Sequence, residues 1–154
     1  MPALIFDASG IVKRYVNEAG SSWVRTQVDP ATGNEIFLTR ITRVEVTAAI
    51  ARRGKGPLPP GVTVYALLTQ FRYDIAHQYN ILEISPALLT EAERLAELHA
   101  LRGYDAVQLA ASVGLHQARK TAGLNPLTLV SADGDLNAAA LAEGLLVENP
   151  NLHP

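Results

Sequence analysis

A chain of 154 residues, 48% of them apolar and 18% charged, has the make-up of a folded globular protein and not of a disordered one. It has no cysteine, which excludes disulfide staples and thiolate chemistry, and no run approaching the roughly 18 apolar residues of a membrane span. Its net charge of −2 gives no global pull toward a polyanion, so a nucleic-acid ligand would need local arginines or a bound metal ion.

A chain of this size buries about 68–70% of its unfolded surface, enough for a core without staples, and one domain over residues 1–154 is expected. The first residues show no basic stretch followed by a long apolar one, so no signal peptide is expected and a cytoplasmic setting is.

Ala3–Phe6 is a short apolar run that reads as a strand ending at Asp7. Ser9–Val16 follows with helical spacing of Ile11, Val12, Tyr15 and Val16, and Asn17–Ser22 breaks it. Ser21 or Ser22 is a candidate cap for a short helix through Val28. Ile36–Thr39 is the second strand candidate. Thr42 is the candidate cap of a helix over Arg43–Arg52, stopped by the Gly/Pro-rich Arg53–Pro60. Val62–Tyr79 has helical spacing and is a candidate clasp for a partner chain; packing on its own sheet is the plain alternative. Ile81–Ile84 is the third strand candidate.

Leu88–Leu101 reads as an amphipathic helix, with Leu88, Ala92, Leu95, Ala96 and Leu98 inward. Tyr104–Ala118 is apolar nearly all round and is expected to be buried. Leu127–Val130 is the fourth strand, Asp135–Glu143 a helix with Gly144 at its C-terminal cap, and Leu145–Val147 an edge strand. Strands alternating with helices predict a single-domain three-layer α/β/α sandwich around a mostly parallel sheet. In such sheets ligands bind beyond the carboxyl ends of the strands, which directs attention to acids at those ends.

Four acids stand out. Asp7 follows the first strand and Asp133 the fourth; Asp105 opens the apolar helix; Glu45 lies on an otherwise apolar face of Val44–Ile50. Each has a bland explanation. Asp7 (or Ser9), Asp105 and Asp133 suit helix caps, and Glu45 suits a salt bridge to Arg14 or Arg40. The topology nevertheless brings all four toward one edge of the sheet, and convergence explains them together. Clustered carboxylates repel, and a divalent cation removes the conflict. Oxygen donors without histidine or cysteine neighbours favour Mg²⁺ or Mn²⁺ over zinc. Such a site can activate water and neutralise a phosphodiester under attack. None of the four histidines (His77, His99, His116, His153) has a partner at ligand spacing.

These residues carry a resemblance. The stretches Ile5–Ser9 with Lys13 and Tyr15, Glu18–Gly20, Thr42–Val46, Leu101–Ala111, Leu129–Leu136 and Gly144–Pro150 together resemble the PIN domain, and within it the VapC-type toxins of toxin–antitoxin pairs. Each motif alone is weak, whereas their order and spacing over Leu4–Pro150 are specific. The resemblance implies that Asp7, Glu45, Asp105 and Asp133 are metal-binding and catalytic, with Ser131 as the small hydroxyl residue and Asp135 as a further acid, either a second-metal helper or a helix cap. Ser9 is a supporting polar neighbour.

It further implies a Mg²⁺/Mn²⁺-dependent endoribonuclease that cuts RNA and halts translation, a cognate antitoxin lying across the groove, and a homodimer. One departure is Gln108, where relatives frequently have histidine; no function is attached to either. Lys13, Arg14, Arg40 and Arg43 are candidate RNA contacts. The basic run from Arg40 through Arg52, Arg53 and Lys55 is either an RNA surface or a solvated helix face. Trp23 is expected in packing. Competing readings are an aspartate-dependent phosphatase, whose motif needs an aspartate where Ser9 stands, a metal-dependent adhesion module, whose pattern fails at Ile11, and a PIN fold that binds RNA or antitoxin without cutting.

Overall fold

Ala3–Phe6 forms β1 with all four residues buried, and its alternation sorts them to two sides. Ala3 and Ile5 join one core cluster, Leu4 and Phe6 the other. A strand apolar on both faces belongs in the middle of a covered parallel sheet. That is its place in the computed structural model, which describes all 154 residues: five strands, all parallel, in the order β3-β2-β1-β4-β5. The others are β2 (Glu35–Thr39), β3 (Asn80–Leu82), β4 (Leu127–Val130) and β5 (Leu146–Glu148).

Seven α-helices cover the sheet: α1 (Ala8–Ile11), α2 (Ser21–Gln27), α3 (Arg40–Arg53), α4 (Val64–His77), α5 (Pro86–His99), α6 (Gly103–Thr121) and α7 (Gly134–Ala142). On one face Leu95 of α5, Leu109 of α6 and Leu136 of α7 pack on Ile5, Leu127 and Leu129. On the other, Ile11, Val24, Val46, Ile50 and Phe71 from α1 to α4 pack on Leu4, Phe6, Ile36 and Leu38. The three-layer α/β/α architecture is the one expected. The chain leaves β1 toward β2 and β3 on one side and reaches β4 and β5 on the other, so the order reverses at β1 and β4. Asp7 and Asp133 follow those two strands at the switch point, where ligands bind in sheets of this type.

Several local expectations are corrected. The first helix stops at Ile11 and tightens into a 3-10 turn over Val12–Arg14. Neither Ser21 nor Ser22 caps α2. Gly20, at φ 83°, turns the chain into it, and the Ser21 hydroxyl accepts from the Glu18 N–H and donates to the Val16 carbonyl. Thr39, not Thr42, caps α3, which therefore begins at Arg40. Leu98 is 60% exposed and lies off the inward stripe of α5. The α4 helix packs on its own sheet through Phe71, Leu67, Leu68 and Ile75, while Tyr65 and Tyr73 stay exposed. Its anchor to the 3-10 turn is polar: the Tyr15 hydroxyl donates to buried Asp74 at 2.6 Å, and Gln70 donates to the other oxygen at 2.8 Å. Trp23 packs as expected, stacked on His153 at 4.4 Å. No helix is long and apolar enough to cross a membrane.

The seat of α1 on β4 is tight. A Cβ added to Gly10 would stand 2.6 Å from the Val130 carbonyl oxygen and 3.2 Å from the Phe6 ring. Since backbone cannot yield as a flexible side-chain end can, Gly10→Ala is expected to cost about 1–3 kcal/mol of stability. Urea unfolding measures this; a midpoint equal to wild type would show that α1 is not held against β4 in this way.

Candidate active site

Asp7 is 7% exposed and its carboxylate is the centre of a hydrogen-bonded knot. Its Oδ1 accepts from the Ser9 hydroxyl at 2.7 Å and from the Gly10 N–H at 2.9 Å, capping α1. Its Oδ2 accepts from the Ser131 hydroxyl at 2.7 Å. The Ser131 oxygen accepts in turn from the Asp133 N–H at 3.0 Å, and the Ser9 oxygen from the Ala132 N–H at 2.9 Å. The ends of β1 and β4 are thereby tied side chain to backbone. Burial pushes the Asp7 carboxyl up to about 6, against these hydrogen bonds, and the nearby Asp105 charge adds to the rise.

Asp133 caps α7 by accepting from the Leu136 N–H at 3.0 Å, so the capping role considered for Asp135 falls to Asp133. Asp135 is exposed in the first turn of α7 and makes no hydrogen bond. Asp105 does not cap α6 either; Arg102 holds that position, and Asp105 lies in the first turn. Arg102, which the sequence did not single out, reaches both acids: Nε donates to Asp105 Oδ2 at 3.4 Å and Nη2 to Asp133 Oδ2 at 3.0 Å. Its side chain is 79% exposed, so these are surface ion pairs.

Glu45 makes no hydrogen bond and no ion pair, so the salt bridge to Arg14 or Arg40 does not form. Burial raises its pKa, and the charges of Asp7 and Asp105 raise it further. Asp105 is raised by burial first and then by Asp133, with Asp135 adding and Arg102 opposing. The acids thus form an electrostatic row, from Glu45 through Asp7 and Asp105 to Asp133 and Asp135. No three of the chain's aspartates, glutamates and histidines stand close enough, as placed, to close around one ion.

The helices carrying Glu45 and Asp105 are tied beneath the row. Gln108, one turn along α6 from Asp105, accepts through Oε1 from the Thr42 hydroxyl at 3.1 Å and the Thr39 hydroxyl at 3.4 Å. Its Nε2 is buried without a partner.

Of the candidate RNA contacts, Lys13 is 4% exposed and paired with Glu18 at 3.1 Å, which removes it from the surface. Glu18 also pairs with Arg53. Arg14 faces Asp74 at 3.9 Å and Arg40 pairs with Glu83. Arg43 and Arg52 on α3 have no acidic partner. A groove of about 440 Å³ opens beside the acids, lined by Ser9, Val12, Val44, Glu45, Arg52 and Tyr104 among others. A cavity of about 500 Å³ between α5 and α6 is more apolar and touches none of the acids in the row.

No protein-family model matches the sequence. The chain is 30% identical over 156 residues to Ribonuclease VapC45 of Mycobacterium tuberculosis, with both proteins covered completely. Its fold matches a toxin–antitoxin complex from Klebsiella pneumoniae with a TM-score of 0.61 at 17% identity, covering 96% of this chain and 97% of the other. It matches VapC20 of Mycobacterium tuberculosis, described as a sarcin-ricin-loop-cleaving toxin, with a TM-score of 0.60 at 15% identity, covering 88% and 94%.

The raised Asp7 carboxyl has a measurable consequence in the metal-free protein. The folded state holds this proton up to about pH 6, whereas the unfolded chain releases it near 3.8. Folding therefore takes up a proton between these values, and stability falls as pH rises through that window, by up to about 3 kcal/mol. Asp7→Asn keeps acceptors for Ser9 and Gly10 and cannot ionise. In chelator, its stability relative to wild type is expected to climb from about pH 4 to about pH 6 and level off above. A difference independent of pH in urea titrations would contradict the buried, protonated carboxyl.

Proposed function

Because this chain belongs to the VapC family of ribonucleases, we propose that it is a metal-dependent endoribonuclease acting as the toxin of a toxin–antitoxin pair. The observation that carries the reading is the row of mutually coupled acids at the switch point of the sheet, its innermost member buried and held by two hydroxyls and a backbone N–H. The donor set fits Mg²⁺ or Mn²⁺: carboxylate oxygens alone, of which those of Asp7, Glu45 and Asp105 are made costly to ionise by burial and by neighbouring charge. Asp7, Glu45, Asp105 and Asp133 are the residues we assign to hold the ion, with Asp135 adding charge at the edge. When bound, the metal supplies a Lewis acid that lowers the pKa of a coordinated water and offsets charge on the phosphodiester.

The side chains have separable tasks. Ser9 and Ser131 fix both oxygens of Asp7, so its orientation costs nothing at the moment of reaction. Arg102 neutralises Asp105 and Asp133, and being exposed it is released cheaply when another cation takes its place. Glu45, raised in pKa and free of partners, is the group we assign to accept the proton of the attacking water. The water oxygen bonds to phosphorus, the bond to a ribose oxygen breaks, and that oxygen takes a proton from solvent.

The structural likeness to a toxin–antitoxin complex supports an antitoxin partner. A homodimer, arrest of translation and a cytoplasmic setting belong to the same reading. A PIN fold that binds RNA without cutting predicts binding in the absence of hydrolysis and is separated by the same assay.

Asp7→Asn or Asp133→Asn is expected to abolish Mg²⁺-dependent cleavage of an RNA panel while the circular dichroism spectrum is retained. Glu45→Gln should slow cleavage by roughly 10²- to 10⁴-fold. Undiminished cleavage by the two aspartate variants in matched metal would overturn the mechanism.

A further inference from the structure

Tyr104 immediately precedes Asp105 in the first turn of α6, yet the residue is 60% exposed and its hydroxyl makes no hydrogen bond. It borders the groove that also exposes Ser9 and Glu45, so this aromatic face opens into the space beside the acid row. Packing does not require it there. The core that α6 helps to build is complete without it, with Ala106, Leu109 and Ala110 packed against Ile5, Leu127 and Leu129. The opposite wall is the outer face of α3, with Val44 64% exposed and Ala48 beside it.

The charge around this slot is also specific. Arg40 and Arg53 of α3 are engaged by Glu83 and Glu18, while Arg52 in the groove wall and Arg43 on the same helix are without acidic partners. At about 3.6 residues per turn, nine positions put Arg43 on the opposite side of α3 from Arg52, so Arg52 alone serves the groove. An exposed aromatic, short apolar walls and one unpaired arginine next to carboxylates answer to a nucleotide: a flat base, with a backbone whose charge needs both arginine and metal. A folded protein segment would meet the acids at the end of the slot as well, but has no particular need of a lone flat ring.

We propose that Tyr104 is a stacking platform for a nucleobase adjoining the cleaved bond of single-stranded RNA, with Arg52 holding the neighbouring phosphate. The proposal rests on the ribonuclease reading of the acid row and adds a subsite that favours some bases over others. Base–aromatic stacking tolerates any base and favours those that stack best, so the subsite ranks substrates by the base at one position.

The test is fluorescence anisotropy of short labelled single-stranded oligoribonucleotides, uracil- and adenine-rich, with the Asp7→Asn background preventing turnover. Tyr104→Ala is expected to weaken binding between about fivefold and a hundredfold, and Tyr104→Phe to stay within about twofold of the parent. An abasic residue at the contacted position should weaken the parent and leave Tyr104→Ala unchanged, the non-additivity of two groups in contact. Arg52→Gln should lower the slope of log affinity against log salt by about 0.7, and Tyr104→Ala should not. RNA affinity unchanged in Tyr104→Ala overturns the subsite alone. Absence of RNA binding and of cleavage by the parent and wild-type proteins overturns the ribonuclease reading as well.

Discussion

One buried carboxylate organises this molecule. Asp7 stands where a strand apolar on both faces runs out of sheet, and burying a charge there is costly unless it is hydrogen-bonded. Ser9, Gly10 and Ser131 supply those bonds, and each comes with a geometric demand. The Gly10 N–H is available only if the chain turns into a helix at once, which places α1 hard against β4. The Ser131 hydroxyl is available only if β4 ends level with β1, and the parallel register pairing Phe6 with Val130 arranges that. Strand pairing, helix start and carboxylate orientation are therefore one constraint expressed three ways.

The other acids inherit their positions from this frame. Asp133 caps α7 while its own N–H is held by the serine that holds Asp7. Glu45 and Asp105 ride on α3 and α6, whose mutual position is set by hydroxyls of Thr39 and Thr42 converging on Gln108. Thr39 is also the cap of α3, so the residue that starts the Glu45 helix is the one that ties it to the Asp105 helix. A buried amide with one side unsatisfied is expensive to keep.

The layered fold was legible because its signals are local. Apolar runs of strand length separated by helical periodicity leave few other arrangements, and the acids at strand ends followed from the same pattern. What the sequence hid was decided by partners far along the chain. Two threonines three residues apart, Thr39 and Thr42, are equally good caps on paper; the extent of β2 selects the first. Asp133 and Asp135 pose the same ambiguity, resolved by where β4 lets go. Lys13 reads as a surface cation until Glu18 folds back over it, and Arg102 reads as a loop residue until α7 brings Asp133 beside it. Exposure of Tyr104 was likewise invisible, because a tyrosine at the start of an apolar helix is ordinarily read as part of its buried face.

Arg102 explains why the acids form a row and not a cage. Repulsion among carboxylates can be relieved by protonation, by separation or by a cation, and all three are present. Asp7, dry and hydrogen-bonded, carries its share by holding a proton up to about pH 6. Glu45 keeps apart on α3. Asp105 and Asp133, nearer the surface, share a guanidinium. The deepest acid relies on a proton, and the two nearer the surface rely on a shared guanidinium. Ordering the acids in this way lets a net-negative protein keep a dense patch of carboxylates folded.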